Sequence, residues 1–94
     1  MGKRYFPIRF IDVPASAPHA ENTAYRVSYG SEHWDDGAPK YVYKVQMVYD
    51  GKVSGRRSPS YPSDCDDLDQ VMDALDRIKA GEGGTGRGMV EALS

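Results

Sequence analysis

Residues 63–80 read SDCDDLDQVMDALDRIKA, and here alone the apolar period, a start signal and a stop signal agree. Leu68, Val71, Met72, Leu75 and Ile78 recur at i, i+3, i+4, i+7 and i+10. At ~100° per residue they fall within an arc of roughly 120°, the stripe of an amphipathic helix. Pro62 discourages helix upstream, and Ser63 or Asp64 is placed to cap the first free N–H groups. Asp64, Asp66 and Asp67 load the first turn with negative charge while Arg77 and Lys79 stand near the last, as the helix dipole favours. Gly81 follows as a natural C′ residue. The rest of the chain must supply a surface for the stripe.

That surface is a sheet. Arg4 to Val13 alternates Phe6, Ile8 and Phe10 with Tyr5, Arg9 and Ile11, with Pro7 suited to an edge or a strand start. Residues 14–22, PASAPHAEN, are aperiodic and form a loop. Thr23 to Tyr29 sets Tyr25, Val27 and Tyr29 on one face. Residues 30–39, GSEHWDDGAP, connect it to the clearest strand, Lys40 to Tyr49, where Tyr41, Tyr43, Val45, Met47 and Tyr49 oppose Val42, Lys44, Gln46 and Val48. Asp50-Gly51 then turns the chain into Lys52 to Ser58. A two-residue turn sets Met47 opposite Ser54, whereas a bulged turn sets Met47 opposite Val53 and keeps apolar groups together. The bulged register is the expected one. Four sequential strands with short links predict an α+β fold: a four-stranded antiparallel meander with one C-terminal helix on one face. The covered face is expected to hold Phe6, Ile8, Phe10, Tyr25, Val27, Tyr43, Val45, Met47 and Val53. Residues 1–80 form one domain on this basis, and 81–94, GEGGTGRGMVEALS, form a flexible Gly-rich tail.

With 94 residues there is room for one small core, and the seven tyrosines make it partly aromatic. The single cysteine, Cys65, excludes an intrachain disulfide. No apolar run approaches the ~20 residues that span a bilayer, and the first residues lack the apolar core of a signal peptide. A cytoplasmic location without membrane contact is expected. The net charge of −2 hides an asymmetry: residues 1–62 carry nine Lys/Arg and six Asp/Glu, residues 63–94 three and eight.

Three surfaces compete for a role. Asp66, Asp69, Asp73 and Asp76 lie at i, i+3, i+7 and i+10 on the helix, a carboxylate stripe that only Arg77 relieves locally. It is either a solvated face or a docking surface for a basic partner. His33, Trp34, Asp35 and Asp36 form a second candidate, with Trp34 either a plug over the core or a binding anchor. On the sheet face away from the helix, alternation collects Arg9, Arg26, Lys44, Lys52 and Arg56, an alternative nucleic-acid face. Alternating Lys and Arg also keeps any exposed sheet soluble.

Catalytic and cofactor signals are weak. Gly81-x-Gly83-x-x-Gly86 has dinucleotide spacing but follows a helix instead of a strand. Cys65 stands among Asp64, Asp66 and Asp67, which oppose a thiolate, and nothing in the sequence brings His19 or His33 to it. One thiol and two loop histidines fall short of a zinc set, and Leu68 breaks the calcium-loop pattern. No cofactor and no metal are expected. In format, a small acidic chain with a few strands and one Asp-rich helix is similar to phage-encoded inhibitor proteins, anti-CRISPR proteins among them; the likeness covers no motif. The sequence thus points to a non-enzymatic protein-protein interaction module, an inhibitor or adaptor acting through the Asp-rich helix face or the Trp34 loop, with nucleic-acid binding as the alternative.

Overall fold

Strand order follows chain order, as short links between alternating segments require. The computed structural model describes residues 4–34 and 37–85. Strands β1 (Arg4–Pro14), β2 (Thr23–His33), β3 (Lys40–Tyr49) and β4 (Lys52–Ser54) make an antiparallel meander, and helix α1 (Asp67–Lys79) packs against one face. A two-residue strand, β5 (Gly84–Thr85), pairs with the free side of β1, giving the order β4-β3-β2-β1-β5. The predicted tail therefore begins as part of the sheet, and its remainder, 86–94, lies outside the described residues.

The core lies between α1 and the sheet and holds Val13, Tyr25, Val27, Met47, Val71, Ala74 and Ile78. Two details of register decide which side chains reach it. The ladder between β1 and β2 slips between Pro7 and Arg9, leaving Ile8 unpaired. A single extra residue inverts every later position. Phe6 stays on the helix side beyond the reach of α1, but Phe10 moves to the open face, while Arg9, Ile11 and Val13 turn toward the helix. The expected placement of Ile8 and Phe10 in the core and of Arg9 on the open face is thus corrected by the bulge. Gly30, opposite Pro7, permits the close approach: a Cβ there would lie 2.8 Å from the Pro7 Cα and press on the Phe6 carbonyl.

The second detail is the hairpin. Asp50 and Gly51 both have positive φ, 52° and 80°, the signature of a tight two-residue turn. Tyr49 pairs with Lys52, Val48 with Val53 and Met47 with Ser54. The bulged register expected from sequence is not adopted. Asp-Gly satisfies the turn's local conformational demand, and Val53 finds Val48 on the open face instead of Met47 on the covered one.

The helix also differs from its predicted form. It starts at Asp67 with Asp66 at the N-cap, and no side chain, neither Ser63 nor Asp64, caps it. Its buried residues are Asp67, Val71, Ala74 and Ile78, with Leu75 half-buried. Leu68 and Met72 of the expected stripe are 47% and 57% exposed. The stripe is rotated because Asp67 is drawn inward: its carboxylate accepts bonds from Ser16 and from the Tyr25 hydroxyl. At the other end Gly81 N–H bonds the Ile78 carbonyl and Glu82 N–H the Arg77 carbonyl, a Schellman closure. The Arg9 guanidinium donates to the same Ile78 carbonyl at 2.7 Å and lies over the Tyr29 ring. A cation thus sits where the helix dipole is negative.

Chain handedness places the exposed flank of α1. The Thr23 carbonyl bonds Ala15, on the β1 side, whereas the Asn22 carbonyl bonds Asp50, on the β3 side. For L-residues this puts β1 to the right of an upward β2 when seen from the helix. The helix rises from Ser16 toward Arg9, antiparallel to β1. In a right-handed helix the residues just after each buried position, Leu68, Met72 and Leu75, then turn toward β3.

Candidate interaction surfaces

The outer surface of α1 is built from two adjoining strips. One is the apolar flank just described. The other is the carboxylate stripe, for Asp66, Asp69, Asp73 and Asp76 are all exposed. The relief expected from Arg77 does not reach Asp73, because Arg77 turns to Glu82 at 3.0 Å in the closure after the helix. Asp66 accepts a bond from Gln70 at 3.2 Å. Among the described residues no ion pair is formed by Asp69, Asp73 or Asp76. Four carboxylates on one face beside Leu68 and Met72 form an acidic ridge with an apolar border.

Asp67 stands apart from the stripe, one position from Asp66 but on the buried side. Burial would push its carboxyl upward, yet the Ser16 hydroxyl and amide and the Tyr25 hydroxyl bond the carboxylate and bring it to about 2. Burial and the same carboxylate hold the Tyr25 phenol well above its ordinary range. Asp67 is a structural anion. Sequence reading assigned it to the helix dipole, since its partner Ser16 lies 51 residues away and leaves no local signal.

Trp34 follows β2 and is 50% exposed, so it does not plug the core. His33 stacks edge-on against Phe6 at 4.9 Å and contacts the Ser31 hydroxyl. Asp35 and Asp36 lie outside the described residues. On the same side of the sheet Tyr29 stacks on Tyr41 and Tyr43, which are 63% and 49% exposed. Sequence reading singled out Trp34 and missed this aromatic shelf, although Tyr41 and Tyr43 share the parity that placed Val45 and Met47 in the core. The shelf is open because α1 runs over β1 and β2 and leaves this end of β3 bare.

The five cations assigned to the open face do not form one surface. Arg9 is on the helix side, and Lys52, opposite Tyr49, faces that side too. Arg26 is buried, bound to both oxygens of Asp12 at 2.7 Å and laid over Phe10. Lys44 pairs with Glu32 at 3.0 Å above the Tyr5 ring. The Tyr5 hydroxyl in turn bonds Ser28, and burial raises its pKa. Long side chains lying flat and neutralised in pairs cover this face of the sheet. Of the five, Lys52 and Arg56 are exposed and form no ion pair among the described residues, and Arg56 lies in a cleft of about 490 Å³ with Lys44, Ser54 and Arg57. A second open cleft, about 600 Å³, lies between Asp12, Arg26, Val48 and Asp50.

Among the described residues no three His, Cys, Asp or Glu side chains are grouped to hold a metal ion. His19 bonds the Ser60 carbonyl and Cys65 the Pro62 carbonyl, each tying down the segment before the helix. No helix among the described residues is long and apolar enough to cross a membrane. No protein-family model matches the chain, and neither a characterised protein nor a solved structure matches it.

Proposed function

We propose that this protein is a small non-enzymatic protein-protein interaction module, an inhibitor or adaptor, that docks through the outer surface of α1. The observation carrying this is the adjacency of exposed Leu68 and Met72 to unpaired Asp69, Asp73 and Asp76. Folding does not account for the combination. The apolar pair is left out of the core, and the carboxylates repel one another without an ion pair among the described residues. A partner that buries an apolar contact inside a rim of Lys and Arg satisfies both strips, with the rim charges speeding association. The Trp34 end of the sheet, with Phe6 and His33, is a second contact region of the same module.

Binding of nucleic acid through Arg9, Arg26, Lys44, Lys52 and Arg56 draws less support, since three of these are bonded internally and they divide between two faces. Affinity capture from the native host, with the wild type and a Met72→Ser, Asp69→Asn, Asp73→Asn variant side by side, tests the proposal. A protein with a basic surface is expected on the wild type and lost from the variant. Equal recovery on both, or recovery of nucleic acid alone, contradicts it.

A further inference from the structure

Strand β3 has ten residues, but β4 pairs only with Met47, Val48 and Tyr49. Among the described residues no strand pairs with the outer side of the remaining stretch, and its parity is fixed by one bond of the turn region. Asp50 N–H points inward to the carbonyl of Asn22, the residue before β2, so even-numbered residues of β3 direct their backbone groups toward β2. Tyr41, Tyr43 and Val45 therefore direct their N–H and C=O groups outward, beyond the end of β4. Beside this edge stand the exposed rings of Tyr41 and Tyr43 on one face, and at its lower end Arg56 and Arg57 in the cleft with Lys44 and Gln46. Neither arginine has a carboxylate partner among the described residues; Arg57 lies over the Tyr49 ring at 5.6 Å.

We infer that the free edge of β3 accepts an extended segment of a partner protein as an added antiparallel strand, in line with β4, and that this segment carries carboxylates at its N-terminal end. The main chain of Tyr41, Tyr43 and Val45 supplies the bonds, and alternate apolar side chains of the guest lie on the tyrosine shelf. Running in the direction of β4, the guest enters beside Gly55, which sets its first residues against Arg56 and Arg57. A second copy of this chain is the poorer occupant. Edge-to-edge pairing of two β3 strands would gather Arg56 and Arg57 of both copies along one seam, and no acidic residue lines the clefts to offset them. The edge is separate from the outer surface of α1, so each proposal stands or falls alone.

The test uses the full chain and a fluorescent peptide, Glu-Glu-Val-Thr-Val-Thr-Val, in anisotropy titrations, with Lys-Lys-Val-Thr-Val-Thr-Val as its counterpart. The acidic peptide is expected to bind at least tenfold more tightly, with the difference shrinking at high salt. Tyr43→Pro removes an outward N–H without taking a bond from β2 and is expected to weaken binding at least tenfold, while Tyr43→Phe keeps it. Arg56→Ser with Arg57→Ser should abolish the preference for the acidic peptide. Amide exchange at Tyr41, Tyr43 and Val45 of the wild type should slow on binding, a readout that holds even where the proline variant fails to fold. Equal affinity for the two peptides, unchanged exchange at those amides, no binding of the acidic peptide at millimolar concentration, or a concentration-dependent dimer lost in Tyr43→Pro would each overturn the inference.

Discussion

Asp67 and Ser16 are joined twice: the Ser16 hydroxyl donates to Oδ1 at 2.6 Å and its amide to Oδ2 at 2.8 Å. This clamp ties the first turn of α1 to the chain leaving β1, and the Tyr25 hydroxyl shares the same carboxylate from the sheet below. It makes the helix a fixed lid instead of a stripe free to roll.

The clamp gives the fold an acid limit. The folded-state pKa of Asp67, about 2, lies below the ordinary 3.8, so the folded state holds this proton less tightly than the unfolded chain. The stability it provides is complete above about pH 4 and is lost as pH falls toward 2. Asp67→Asn should be less stable than the wild type at pH 7 and should converge with it in acid, as followed by urea melts at pH 7, 4 and 2.5. Asp67→Ala leaves the Ser16 amide and hydroxyl short of a partner, while the Tyr25 hydroxyl keeps the Ser60 carbonyl, and should cost about 3 kcal/mol at pH 7.

The rotated helix face is tested by truncating both sides of it. Ile78 is fully buried, and Ile78→Ala should cost about 3 kcal/mol. Leu68→Ser and Met72→Ser should each fall within about 0.5 kcal/mol of the wild type, because their side chains already meet solvent. Denaturant midpoints of the three variants decide it; a large loss at Met72 would return that residue to the core.

Arg9 closes the opposite end of the helix. Arg9→Met keeps much of the stem's packing but removes a charge-assisted bond to the Ile78 carbonyl and the cation over Tyr29. A loss of about 1–2 kcal/mol in chemical denaturation is expected.

Gly30→Ala probes the bulge. The added methyl would collide with backbone of Phe6 and Pro7, which cannot swing aside as a side chain would. A loss of about 2 kcal/mol or more is expected, with amide exchange quickening first across β1 and β2.

Much of the fold was legible because it rests on periodicity. Tyr25, Val27 and Met47 announce the covered face by alternation alone, and the meander with its helix follows from the order of the segments. What escaped the sequence was set by single residues or distant partners. One unpaired residue, Ile8, turns Phe10 and Arg9 over, and propensity carries no mark of it. The hairpin register depended on a contest between turn geometry at Asp50-Gly51 and apolar matching of Val53, and the turn prevailed. The burial of Asp67 and the bonds of Arg9 and Arg26 depend on groups that only the folded chain brings near. Of the candidate surfaces, the stripe Asp66, Asp69, Asp73 and Asp76 was readable from spacing, whereas its apolar border was hidden by the assumption that Leu68 and Met72 face inward.

Carboxyl footprinting tests the docking role of that surface most directly. The folded protein is treated with a carbodiimide and a small amine, with and without extract of the native host, and labelling is read residue by residue across 10–26 and 58–77. Protection of Asp69, Asp73 and Asp76 in the extract, with Asp12 on the far face unchanged, is the predicted result. Equal labelling of the three in both conditions would contradict a docking role for the helix surface.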